Sequence, residues 1–111
     1  MSDRVLGDRI TLDFSTNDPD TGDVADADFL PTCEVFANQT DVPLMTPLVV
    51  KRVGQTGIYR VTFVATVANG FQAGSSYNVD ADATVAGVEQ KNRIGSFRLN
   101  AIAPYPVNFV I

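Results

Sequence analysis

The stretch "NDPDTGDVADADF" places Asp18, Asp20 and Asp23 within a short run, with Asp26 and Asp28 just beyond. Closely spaced carboxylates in a loop are the donor type that a hard cation such as calcium takes. The spacing departs from that of a calcium-binding helix–loop–helix, because the glycine is displaced and no glutamate stands at the closing position. Aspartate is also common in turns, where its side chain bonds nearby backbone donors. Calcium ligation by Asp18, Asp20 and Asp23 and a solvated, turn-rich loop are therefore both open, and the second is favoured. Asp80 and Asp82 form another carboxylate pair, two residues apart. General acid–base work needs a pocket that raises one of the two pKa values, and an exposed strand face supplies none. The chain holds no histidine, which removes Ser-His-Asp and Cys-His nucleophile systems and every His-containing zinc site. Its single cysteine, Cys33, can form neither an internal disulfide nor a thiolate zinc site, and reads as a small core residue alternating with Val35. No Gly-rich phosphate loop of the Walker type is present. No catalytic residue, no cofactor and no enzyme activity are expected.

The elements that position these residues have period two. In "SYNVDADATV", Tyr77, Val79, Ala81, Ala83 and Val85 fall on one face, against Asn78, Asp80, Asp82 and Thr84. This is the pattern of a half-buried antiparallel strand. "IYRVTFVATV" alternates Tyr59, Val61, Phe63, Ala65 and Val67 with a mixed second face. "RITLDFST" turns Ile10, Leu12 and Phe14 inward, and "TCEVFAN" does the same with Cys33, Val35 and Ala37. "SFRLNAI" predicts Phe97, Leu99 and Ala101 inward, while "PLVVKRV" is a shorter and less regular strand. The segments "NDPDTGD", "VGQTG", "NGFQAGSS" and "AGVEQKNRIG" carry turn chemistry between the runs. "DVADADFL" has room for a single helical turn. Strands and turns at this spacing predict an all-β sandwich of about seven antiparallel strands.

The run "FQAGSSYNVDADATV" sets Phe71, Gly74 and Tyr77 in a recurring order: a hydrophobic residue, a glycine turn, and a tyrosine opening an alternating strand. It resembles the tyrosine corner of immunoglobulin-like and fibronectin type III-like sandwiches. There the hydroxyl returns to the backbone of the loop just upstream. Relative to the fibronectin-like pattern, Phe71 stands for a leucine and Ala73 for a proline, and the tryptophan of many such domains is missing. More broadly, residues 6 to 99 resemble small immunoglobulin-like structural proteins of tailed-bacteriophage virions. The resemblance lies in the "G-x-Y-x-V-x-F" strand at Gly57–Phe63, the corner at Gly70–Tyr77, the "A-T-V-x-G-V" strand at Ala83–Val88 and the closing "G-x-F-x-L" strand at Gly95–Leu99. It implies a non-enzymatic virion component assembled in the host cytoplasm: a capsid decoration or cement protein, or a neck, tail or baseplate part. The major capsid protein or another virion protein is the implied partner. A homo-oligomer is implied too, with a trimer expected at local symmetry axes.

Composition agrees with one folded domain: 111 residues, 45% hydrophobic, 19% charged. The net charge of −5, with Lys51-Arg52 the only adjacent basic pair, argues against nonspecific nucleic-acid binding. No run approaches the roughly 20 apolar residues of a membrane helix, and "MSDRVLGDRI" lacks the apolar core of a signal peptide. From Leu99 to Ile111 no side chain is charged. Residues 1–103 are expected to form the sandwich and 104–111 an extended apolar arm, held open by Pro104 and Pro106. Tyr105, Val107, Phe109, Val110 and Ile111 are the candidate partner-binding residues, suited to a groove or a sheet edge. Packing of the arm on its own domain is the alternative. A carbohydrate-binding or adhesion module on the same fold is a second functional class, though the aromatics other than Tyr105 point to the core.

Overall fold

A computed structural model describes residues 2–102. Seven strands follow one another: β1 Ser2–Val5, β2 Arg9–Ser15, β3 Thr32–Ala37, β4 Val49–Lys51, β5 Ile58–Val64, β6 Ser76–Val85 and β7 Val88–Asn100. They form a four-stranded sheet in the order β1-β7-β6-β3 and a three-stranded sheet in the order β2-β5-β4. Hydrophobic alternation puts Ile10, Val49, Tyr59, Val61 and Phe63 of one sheet against Cys33, Val35, Tyr77, Val79, Phe97 and Leu99 of the other. With β2 counted as the second strand of an immunoglobulin-type sandwich, both sheets keep that fold's neighbours. β1 lies beside β7 at the edge of the larger sheet.

That first strand departs from the expected all-antiparallel pairing. β1 runs parallel to β7, with Ser2 opposite Phe97 and Val5 opposite Asn100. Its sequence, "SDRV", lacks a buried alternating face, because charged, exposed side chains are what a sheet edge carries. A second departure is the segment "AGVEQKNRIG", expected as a connection. Instead β6 and β7 form one hairpin, and Val88 to Ile94 belong to a strand of 13 residues. The turn is Ala86-Gly87, with φ of 52° and 80°, the all-positive backbone of a type I′ turn. Alanine is a poor indicator of such a turn, and the polar residues 89–93 hide the strand. A bulge at Val79/Asp80 then shifts the register by one residue, leaving Gly95 opposite Val79. A Cβ at Gly95 would stand 2.9 Å from Leu12 Cδ1, so the absent side chain lets the two sheets close there.

Two smaller expectations change. "DVADADFL" holds no helical turn; Val24 bridges to Asn17 and the segment runs on as an extended loop. Ala101 is exposed, not inward, because the pairing of β7 with β1 stops at Asn100. The one helical turn among the described residues is the 3-10 segment Val67–Asn69, capped by Thr66 and ended by Gly70 at φ 96°.

The lower end of the core is aromatic. Phe71, fully buried, lies 4.8 Å from the Tyr77 ring in an edge-on arrangement and 5.9 Å from Phe63; Phe97 stacks on Tyr77 at 5.5 Å. The Tyr77 hydroxyl accepts a 2.8 Å hydrogen bond from the Gln72 N–H and donates to the Gln72 carbonyl at 3.4 Å. Gly74 N–H donates to the Leu99 carbonyl at 2.7 Å, and Leu99 N–H to the Ser75 carbonyl at 2.9 Å, so the loop is stitched to β7. Removing the hydroxyl in Tyr77→Phe strands the Gln72 N–H and should cost ~1–2 kcal/mol. Phe71→Ala should cost ~3–5 kcal/mol, because a large cavity opens at the end of the core. Urea unfolding measures both. Burial pushes the Cys33 thiol up to about 12, so at pH 8 a disulfide reagent should label Cys33 in denaturant and leave it untouched in the native protein.

Candidate functional site

The acidic loop between β2 and β3 is built on backbone hydrogen bonds. Thr16 Oγ1 donates to the Ala25 carbonyl at 2.5 Å, and Ala25 N–H returns a bond to the Thr16 carbonyl at 3.0 Å. Above this pair, residues 17–24 make a small excursion closed by Asp18 N–H to the Asp23 carbonyl at 2.8 Å and Asn17 Nδ2 to the Gly22 carbonyl at 3.1 Å. Asp18 Oδ1 sits inside it, accepting from Asp20 N–H at 2.7 Å and Thr21 N–H at 3.1 Å. This is the side-chain-to-backbone turn that aspartate favours. Asp20 and Asp23 are exposed. Among the described residues, no three His, Cys, Asp or Glu side chains come together as a metal cage.

The next two aspartates reach outside the loop. Asp26 Oδ1 accepts from Gly57 N–H at 2.5 Å and lies 3.4 Å from Lys51 Nζ. Gly57 has φ of 69°, and a Cβ on it would meet Val24 Cγ1 at 2.5 Å and the Ala25 carbonyl at 2.9 Å, so only glycine lets the loop approach β5 this closely. The Tyr59 hydroxyl accepts from Ala27 N–H at 3.0 Å. Asp28 spans to the β6–β7 turn, its two carboxylate oxygens accepting from Ala86 N–H at 3.0 Å and Gly87 N–H at 2.9 Å. Charge-assisted bonds of this kind are among the stronger neutral-pH contacts, and they hold Ala86 in a left-handed conformation that a β-carbon disfavours. The roles of Asp26 and Asp28 are not legible in the spacing, since each acts on a partner remote in sequence.

The outer face of the larger sheet carries the other carboxylate pair. Asp80 is 3.2 Å from Arg93 Nε. Asp82 beside Glu89 holds the Glu89 carboxyl above its ordinary value, because the protonated Glu89 can hydrogen-bond Asp82 and the ionised one is repelled by it. Lys91 lies 3.4 Å from Glu34 and 6.0 Å from the centre of the Phe36 ring. The result is a ladder of cross-strand ion pairs on an exposed sheet face rather than an enclosed acid–base pair.

The outer face of the smaller sheet differs. Arg60 clasps Asp13 with two bonds, Nε to Oδ1 at 2.7 Å and Nη2 to Oδ2 at 3.0 Å. This contact holds the Asp13 carboxyl below its usual range. Beside it, Leu48, Val50 and Val53 are 83%, 62% and 97% exposed, and with Lys51, Arg52 and Arg60 they line an open groove of about 510 Å³. The signal in "PLVVKRV" was a run of three aliphatic residues, two adjacent cations and a further valine, which a short strand reading does not separate from an ordinary edge. Tyr105, Val107, Phe109, Val110 and Ile111, together with the arm 104–111, lie outside the described residues. Phe71, Gly74 and Tyr77 are brought together at the core's lower end.

Asp26 supplies a pH test. Its carboxyl is held below the usual value of 3.8, first by the Gly57 N–H and then by the Lys51 ammonium. A carboxylate lowered in the folded chain stabilises it above the ordinary range, and that contribution disappears as pH falls through the lowered value. Asp26→Asn should therefore be less stable than wild type at pH 7, with the gap closing toward pH 3, as read by urea midpoints across that range. Equal midpoints at pH 7 would count against the clamp.

No family model, no curated protein and no solved structure matches the chain, so its surfaces must be read from their own chemistry.

Proposed function

We propose that this protein is a non-enzymatic structural component of a tailed-bacteriophage virion. In this reading it is a capsid decoration or cement protein that binds the major capsid protein lattice after assembly in the host cytoplasm. One observation carries the non-catalytic part. Five of the polar groups that could do chemistry bind the chain's own backbone instead: Asp18, Asp26 and Asp28 through carboxylates, Tyr59 and Tyr77 through hydroxyls. They stiffen loops and do not converge on a cleft. A rigid block that engages other proteins by its surface suits a lattice in which many copies each add a modest contact. A trimer at local symmetry axes is the matching arrangement, and the uncharged run from Leu99 onward is the segment suited to reach a neighbour. A neck, tail or baseplate position uses the same chemistry. The saccharide-binding alternative has less support: among the described residues Phe36 is the aromatic on an outer sheet face, with Lys91 over its ring, and exposed Phe29 stands alone in the β2–β3 loop.

The experiment compares the full chain with one ending at Ile102, which keeps the Leu6–Asn100 bond that ties β1 to β7. Both should unfold cooperatively at nearly the same urea midpoint. Only the full chain should cosediment with empty capsids lacking the protein and raise their melting temperature. Loss of folding on truncation would place the arm in the core, and failure of the full chain to bind capsids would remove the virion assignment.

A further inference from the structure

The second sheet has an edge that the described residues leave open. Among the described residues β4 pairs with β5 alone. Arg52 N–H donates to the Ile58 carbonyl at 2.9 Å, and Val50 stands opposite Arg60 in the same ladder. In antiparallel pairing the inward- and outward-directed backbone groups alternate. The N–H and C=O groups of Val50 and Arg52 therefore face β5, and those of Val49 and Lys51 face away from it. A strand laid along this edge would find a donor and an acceptor on each of those two residues.

The side chains around the edge state what that strand would carry. Leu48, Val50 and Arg52 follow one another on the outer side of β4, and Val53 stands at its end, 97% exposed. Sheet edges are commonly blunted by charge or proline, yet here two apolar residues occupy the strand's outer row. The cations are unevenly placed too. Three of the chain's eight Lys and Arg residues line this groove, no carboxylate does, and the whole chain has net charge −5. Lys51 is held by Asp26 and the Gln55 carbonyl, and Arg60 by Asp13. Arg52 forms no ion pair within 4 Å among the described residues, and only its longer-range charge reaches Asp13, which Arg60 already clasps. Pairing two copies edge to edge would bring both sets of cations together, which argues against a second copy as the occupant.

We infer that the open edge of β4 is a docking site for an extended segment of a partner protein that adds to the sheet. Along its outer face this segment presents two apolar side chains at alternate positions, against Leu48 and Val50, and a carboxylate two residues further, beside Arg52. Backbone bonds to Val49 and Lys51 supply affinity, and the apolar-apolar-acidic row supplies selectivity, as in other strand-addition modes. The site is lined by residues lying between Leu48 and Thr62. It rests on the reading of the protein as a binding module, not on the virion assignment.

The test selects from a ribosome-displayed library of random nonapeptides on the immobilised full chain. Enriched peptides should carry two apolar residues at alternate positions and an Asp or Glu two residues beyond. Arg52→Glu should weaken the best of them by about tenfold or more, and a peptide with Lys in place of the acid should regain binding to that variant. Val50→Lys should abolish capture. Both side chains lie outside the core, so unchanged circular dichroism and melting identify these as surface effects. The inference is overturned by a library that yields no enrichment, by enriched peptides lacking carboxylates, or by binding indifferent to Arg52→Glu. Self-association in sedimentation that Val50→Lys removes would overturn it in favour of a second copy. Capsid binding can fail while this selection succeeds, so the two proposals are separable.

Discussion

The sandwich is held at its two ends by tyrosine hydroxyls. A two-sheet core leaves loops that must cross from one layer to the other over apolar side chains, and a buried backbone N–H left without a partner there is costly. Tyr59 opens β5 at one end and Tyr77 opens β6 at the other. Each buries its ring and spends its hydroxyl on the crossing loop, Ala27 N–H for Tyr59 and Gln72 N–H for Tyr77. Each ring is also stacked, Tyr59 on Phe14 at 5.8 Å and Tyr77 on Phe97 at 5.5 Å. Core packing and loop position are thereby one interaction at each end: a change that moves either ring moves the loop above it.

The aspartates extend this coupling along the upper end. With Ala27 fixed by Tyr59, Asp26 on one side meets Gly57 and Asp28 on the other meets the Ala86-Gly87 turn. The β2–β3 loop is in this way bonded to the turn before β5 in one sheet and to the β6–β7 hairpin of the other. An acidic loop with the look of a cation site works as a strap between layers. Within it the Asp26 carboxyl is held low by the Gly57 N–H and the Lys51 ammonium, so that contact weakens in acid.

Legibility in the sequence followed burial. β5 and β6 are covered on one face along most of their length, and their alternation identified Tyr59, Val61, Phe63, Tyr77 and Val79 as core. The tyrosine corner was readable because its residues are close in sequence and its geometry is local. β1 and the first half of β7 were not, since their outer positions are polar and their partners lie far along the chain or across a turn without Asn-Gly or Asp-Gly. The functions of Asp26 and Asp28 were illegible for the same reason: an acceptor's meaning depends on which N–H the fold brings to it. Leu48, Val50 and Val53 lie in and around a short, irregular strand whose sequence shows no alternation, so neither face is marked as core; the topology makes β4 an edge with its outer row in solvent.

That edge is singular among the four. β1 ends the larger sheet with a short strand carrying an exposed Asp3 and a half-buried Arg4. β3 ends it on the other side, but Val35 exchanges backbone bonds with Leu44 and Met45, Leu44 N–H to Val35 at 2.6 Å and Val35 N–H to Met45 at 2.9 Å, so the following segment covers it. β2 ends the smaller sheet with Arg9, Thr11, Asp13 and Ser15 on its outer row, a polar and charged stripe. Each of these three is blunted by a device that natural sheets use against unwanted pairing. β4 is limited mainly by its length, three residues between Pro47 and the turn at Gly54. A short edge discourages indiscriminate aggregation, because few backbone bonds are on offer. What it can still accept is a strand whose side chains add enough contact to make up the difference, and the apolar row of Leu48 and Val50 beside Arg52 defines that contact. Closure of three edges and selective openness of the fourth are thus parts of one physical arrangement.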